Sequence, residues 1–224
     1  AMEGRSRAES GVTRDDRPRQ RLYLVTPRIE DPAPFVSEID LALAAGDVAA
    51  VLLRLGDGDE RKQIDRVKAI APAVQRRDVA LLVDGHAGIA ARAGADGAHI
   101  SGIEGFVAAL PLLKPDRIAG VGGLVGRHDA MLAGESGADY VMFGEPNRRG
   151  QRPPFDELEE RLLWWAELLE IPCVGYAGHP DEVAALARTG TDFVALGEWI
   201  WTQPQGAAAA IAKAAESLTA PVPR

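Results

Sequence analysis

Gly94-Ala95-Asp96-Gly97-Ala98-His99-Ile100-Ser101 runs a glycine, a small residue and an aspartate straight into a short apolar stretch. The same opening returns at Gly137-Ala138-Asp139 before Tyr140–Gly144, at Gly190-Thr191-Asp192 before Phe193–Gly197, and in shortened form at Gly46-Asp47 before Ala49–Leu55. Their glycines are 48, 43 and 53 residues apart. Glycine suits the left-handed residue that closes a helix, and aspartate can bond to local backbone in the following turn. Each copy therefore marks the passage from a helix into a strand. The four aspartates fall at strand N-terminal ends, where a structural role is expected and catalysis is not.

Four more apolar runs lie between these, at Leu22–Thr26, Ala80–Asp84, Arg117–Gly122 and Cys173–Ala177, which makes eight. They are rich in Val, Leu and Ile and barely alternate with polar residues, the pattern of strands buried on both faces of a parallel sheet. Amphipathic segments such as Glu60–Arg76, Phe155–Leu169 and Asp181–Arg188 separate them. The alternation predicts an α/β fold, a single (β/α)8 TIM barrel over residues 21–218. An open doubly wound sheet is the alternative. Residues 1–20 are polar and unpatterned and are expected to form a flexible tail. Residues 219–224 are expected to be loose.

The net charge of -8 argues against a general nucleic-acid surface. It leaves room for local basic clusters that bind phosphorylated small molecules. No apolar run reaches the roughly 20 residues of a membrane helix, so no membrane association is expected. The one cysteine, Cys173, sits in an apolar run and is expected in the core. A cytoplasmic location fits its lack of an internal disulfide. Trp164-Trp165 is expected in packing or in a homo-oligomer contact, and Trp199 and Trp201 in packing or a pocket wall.

Barrel sites sit at the C-terminal ends of strands. Arg54, near the end of Val51-Leu52-Leu53-Arg54-Leu55, is either an anion clamp or an internal ion pair, for example to Asp84. Asp84 and Glu104 follow adjacent strands, so they are either a pair of Mg²⁺ ligands or two solvated carboxylates. Glu145–Arg152 carries three arginines and is either a phosphate-binding lid or a solvated loop. His99 is expected to be a hydrogen-bonded core histidine. No Ser/His/Asp arrangement and no P-loop is present.

Leu22-Tyr23-Leu24-Val25-Thr26 resembles the opening strand of the thiamine phosphate synthases, and Gly94–Ile100 and Gly137–Gly144 resemble their fourth and sixth strand motifs. Ile171–Gly178 stands where that family carries a Pro-to-Gly-Gly strand. The resemblance spans about residues 21–206 and lies in the order and spacing of the motifs. It implies a (β/α)8 transferase of thiamine biosynthesis. Such an enzyme joins an aminopyrimidine diphosphate to a thiazole phosphate with loss of Mg²⁺-bound pyrophosphate.

The same resemblance implies an eroded site with weak or altered activity. The family's Gln-x-Arg-x-Lys falls on Leu52, Arg54 and Gly56, so only the arginine remains. Its Asn-Asp pair falls on Asp84-Gly85, which leaves the metal-binding Asp absent or shifted onto Asp84. Its second metal Asp falls on Glu104. Its Thr-x-Thr-Lys lid is replaced by Asn147-Arg148-Arg149-Gly150, with Arg148 and Arg149 keeping positive charge. Its Gly-Gly is Ala177-Gly178, and its phosphate-binding Ser aligns with Glu198. The substrate contacts implied are thus Arg54, Asp84, Arg148, Arg149, Gly178 and Glu198. Two alternatives stand beside this: a non-catalytic or repurposed phosphate-ligand-binding barrel, and a thiazole tautomerase-like isomerase. The tautomerase histidine would fall near Leu124 or Val125, and His128 is expected in the next helix.

Overall fold

A computed structural model describes residues 19–219. The expected tail, apart from Arg19 and Gln20, and the C-terminal end after Thr219 lie outside the described residues. Eight parallel strands close into a barrel in chain order: β1 (Arg21–Ile29), β2 (Val48–Leu55), β3 (Ala80–Asp84), β4 (Gly97–Ser101), β5 (Ile118–Gly122), β6 (Tyr140–Phe143), β7 (Cys173–Ala177) and β8 (Phe193–Leu196). Each is followed by a helix: α1 (Pro32–Leu43), α2 (Glu60–Gln75), α3 (Ala87–Ala93), α4 (Ile103–Leu113), α5 (Gly126–Glu135), α6 (Phe155–Leu168), α7 (Glu182–Arg188) and α8 (Ala207–Thr219). A short 3₁₀ turn, Glu198–Thr202, comes before α8. Closure is direct, with β1 pairing β8 through Leu22↔Val194 and Leu24↔Leu196.

Both faces of each strand are buried, in two separate layers. Leu22, Leu24, Val51, Leu53, Leu81 and Val83 point outward to the helices. Tyr23, Val25, Leu52, Leu82, Tyr140, Met142, Val174 and Tyr176 fill the lumen. Side chains alternate along a strand, so Arg54 and Asp84 share the lumen face with Leu52 and Leu82, one layer nearer the C-terminal rim.

The glycine–aspartate repeat acts at the opposite rim. The carboxylates of Asp96, Asp139 and Asp192 accept the backbone N–H groups of Leu81, Ala119 and Cys173 at 2.7, 2.8 and 2.9 Å. Each thus ties the start of one strand to the start of the strand before it. Gly94, Gly137 and Gly190 have positive φ, as the turn into the strand requires. Asp47 departs from the pattern and pairs with Arg21 at 3.0 Å.

At the functional rim the ladder between β1 and β2 slips after Val25. Pro27 has no N–H to donate. The fully buried Thr26 compensates, its Oγ1 accepting the Arg54 N–H at 3.0 Å. Arg66 then fixes the loop after β2, with Nε donating to the Glu30 carbonyl at 2.9 Å and Nη1 to the Asp57 carbonyl at 2.8 Å. Cys173 is buried as expected. Trp165 is also buried, and its indole N–H donates to the Ile171 carbonyl at 2.8 Å. Among the described residues no helix is long and apolar enough to cross a membrane.

Candidate active site

Arg54 lies between two carboxylates at the C-terminal rim. Its guanidinium forms an ion pair with Glu198, which opens the 3₁₀ turn after β8, and its Nε lies 3.7 Å from Asp84 at the end of β3. Of the two roles expected for Arg54, the internal ion pair with Asp84 is the one present, joined by Glu198. These side chains are a third to a half exposed, so an entering anion can compete for them.

Glu198 owes its position to tryptophans. The Trp199 indole N–H donates to the Ala177 carbonyl at 2.9 Å, and that of Trp201 to the Val25 carbonyl at 2.7 Å. Trp201 also packs edge-on against Phe35. The two indoles fasten the turn to the end of β7 and the middle of β1, and its first residue meets Arg54 of β2.

Gly178 is already occupied. Its N–H donates to Glu182 at 2.8 Å, and Glu182 also receives Arg152 through two bonds of 2.9 Å. Arg152 donates further to the carbonyls of Gly144 and Tyr176, at 2.7 and 2.9 Å. A Cβ on Gly178 would fall 2.1 Å from the Arg152 guanidinium, so glycine is what lets the arginine lie there. Barrel enzymes often bind phosphate with the loops after strands 7 and 8 and a short helix N-terminus. Here Glu182 and Glu198 stand at both places.

Arg148 and Arg149 are exposed on a compact turn. The Asn147 side-chain oxygen accepts the N–H groups of Arg149 and Gln151 at 2.9 and 3.0 Å. The third arginine of the loop, Arg152, is the one drawn into the barrel rim. Glu104 lies in the exposed first turn of α4. Among the described residues no three His, Cys, Asp or Glu side chains converge as a metal site. His128 lies in α5 as expected.

His99 is the hydrogen-bonded core histidine expected from the sequence, but the buried polar chain it joins in the lumen was not expected. The hydroxyls of Tyr23 and Tyr140 are 2.7 Å apart, and His99 Nδ1 is 2.9 Å from Tyr140. Burial holds His99 below the usual imidazole range and Tyr140 well above the phenol range. Gly120 makes this possible, because a Cβ there would lie 2.1 Å from the Tyr140 ring. Beside the chain, Glu145 accepts the Gly123 N–H, while its Oε2 is buried without a partner among the described residues. Burial pushes its carboxyl up to about 7. A signal was present: Glu145 directly follows an apolar strand, where a carboxylate has few solvated positions.

Residues 22–200 match the family model described as thiamine monophosphate synthase. The chain belongs to the thiamine monophosphate synthase family. It is 42% identical over 195 residues to the thiamine-phosphate synthase of Rhodospirillum centenum, covering 86% of this chain and 94% of that protein. It is 37% identical over 210 residues to that of Hyphomonas neptunium, covering 89% and 94%. Among solved structures, thiamine phosphate pyrophosphorylase from Pyrococcus furiosus superposes with a TM-score of 0.73 at 21% identity, over 89% of this chain and 95% of that one. That likeness speaks to the barrel alone.

Proposed function

We propose that this family member couples an aminopyrimidine diphosphate to a thiazole phosphate, with weakened hold on both anions. The observation that carries this is Arg54 at the rim, partly exposed and opposed by Asp84 and Glu198, in a chain related over nearly its whole length to thiamine-phosphate synthases. In the reaction the bond between the pyrimidine methylene and the diphosphate oxygen breaks, and its electron pair leaves with diphosphate. The thiazole nitrogen lone pair then forms the new carbon–nitrogen bond. No group of the protein needs to gain or lose a proton.

The protein's part is positioning and charge neutralisation. Arg54 exchanges Glu198 for a diphosphate oxygen, while Arg148 and Arg149 approach from the turn above. Asp84 and Glu104 are the carboxylates that would hold Mg²⁺. Two oxygen donors, with water and diphosphate supplying the rest, are what that ion accepts, and Asp84 keeps lone pairs free at 3.7 Å from Arg54. When bound, the ion supplies positive charge at the leaving diphosphate.

A second reading, a phosphate-ligand-binding barrel without turnover, draws on Glu182 filling the Gly178 amide. Incubating the purified protein with both precursors and Mg²⁺, with mass-spectrometric detection of thiamine phosphate, separates the two. Slow, protein-dependent product formation is expected. Binding of pyrophosphate with no product from folded protein would favour the second reading.

A further inference from the structure

Glu145 has no role in the coupling step as derived above, yet it is the most exceptional polar group at the rim. It lines a cleft of about 660 Å³ between the ends of β5 and β6, with Gly123, Leu124, Met142, Phe143 and Arg152. One carboxyl oxygen is committed to the Gly123 N–H. The other, Oε2, is buried with no hydrogen-bond partner among the described residues. Buried polar atoms are nearly always satisfied, and an exception at the wall of a cleft asks for a ligand.

The surroundings limit what that ligand can be. Met142 lines the cleft from the lumen side of β6 and Phe143 from the opposite face, against Trp165, so the carboxyl has apolar surface beside it. Behind the carboxyl stands His99: a Cβ on Gly122 would fall 2.3 Å from Glu145 Oε1 and 2.9 Å from His99 Nε2, so both groups converge on that glycine. His99 is in turn held by Tyr140, whose hydroxyl also bonds that of Tyr23. The charged groups facing Glu145 are Asp84 from β3, which disfavours its ionisation, and Arg152, which favours it but is spent on Glu182. Arg161 of α6 also lines the cleft. Because Oε1 accepts from Gly123, a proton on the carboxyl resides on Oε2, whose O–H is then a donor without an acceptor among the described residues. An unspent donor beside apolar lining matches the ring nitrogen of a neutral heteroaromatic amine.

We infer that Glu145 is a substrate-recognition residue that binds the aminopyrimidine reactant, its protonated carboxyl donating a hydrogen bond from Oε2 to a ring nitrogen. The inference rests on the pyrimidine being a reactant, as proposed above, and adds a contact at β6 that the coupling chemistry does not itself require. Burial supports it independently, since a carboxyl that titrates at about 7 keeps its proton in mildly acidic solution and is half protonated at pH 7.

The test uses the phosphate-free pyrimidine alcohol as probe, titrated calorimetrically into the full chain between pH 7 and 9, where the free pyrimidine is neutral. Binding by the wild type should weaken at least tenfold over that range as Glu145 loses its proton. Glu145→Gln carries an N–H donor that does not titrate, so it should bind at pH 9 at least as well as the wild type does at pH 7. Glu145→Ala should lose binding at both pH values while retaining a cooperative melt. Unchanged affinity in folded Glu145→Ala, or the same pH dependence in Glu145→Gln, would overturn the inference. Neither readout involves turnover. A protein that makes thiamine phosphate but binds the probe independently of Glu145 refutes only this contact, whereas Glu145-dependent binding without product refutes only the coupling activity.

Discussion

Replacing Glu198 with serine should strengthen anion binding at the rim. In the free protein Glu198 is ion-paired with Arg54, so a diphosphate must displace one carboxylate while Asp84 stays nearby at 3.7 Å. Two unit charges about 4 Å apart at an effective dielectric near 20 interact by about 4 kcal/mol. The side chains of Arg54 and Glu198 are 33% and 48% exposed, and exposed pairs are worth about 0.2–1 kcal/mol once solvent and side-chain entropy are counted. The upper end applies to a guanidinium anchored at the rim, so Glu198→Ser should tighten Mg²⁺-pyrophosphate and thiazole phosphate by about 1 kcal/mol, or roughly fivefold. Isothermal titration of both ligands into wild type and variant measures this, and a thermal melt should show little change. Unaltered or weaker pyrophosphate binding by folded Glu198→Ser would show that Glu198 does not hold Arg54 away from anions, and the account of a weakened site would fail with it.

Arg54→Ala should weaken pyrophosphate binding by about 2 kcal/mol, the scale of a lost charge-assisted contact. Made in the Glu198→Ser background it should also cancel the gain from that change; a gain that survives in the double variant would place the anion elsewhere. Arg152→Ala strands Glu182 and two carbonyls, with the pair only 18% and 13% exposed, so urea unfolding should show a loss of about 3 kcal/mol. Glu145 titrates at about 7 in the folded protein against 4.5 for the ordinary carboxyl. The fold therefore binds the proton more tightly, and the stability this contributes is full below pH 4.5 and is lost as pH rises through 7. Wild-type stability should fall by about 3 kcal/mol across that window, and Glu145→Gln should flatten the fall in denaturant titrations; an identical slope would show that the carboxyl is ionised and solvated throughout.

The barrel was legible because its signals are local. Apolar runs of strand length, amphipathic segments between them and the recurring glycine–aspartate turn each concern neighbours in the chain, and those aspartates do join adjacent strand starts. Arg54 stood out in the same way, as a charge in an apolar strand. Its pairing with Asp84 on the neighbouring β3 was legible too, but Glu198 was not, since the turn after β8 is brought beside β2 only by closure of the barrel. The arginine that matters in the loop after β6 was also undecided by type and spacing: Arg148 and Arg149 stay in solvent, whereas Arg152 finds Glu182 and the gap above Gly178. The tyrosines that partner His99 and the burial of Glu145 were hidden for a related reason. Composition and periodicity assign a residue to a face, but whether a polar group on that face meets a partner depends on the heights at which different strands present their side chains. Sequence by itself determined eight strands, their order and the rim that carries chemistry. Tertiary structure alone decided which charges neutralise one another there, because pairing energies fall off over a few ångströms and only the closed barrel sets those distances.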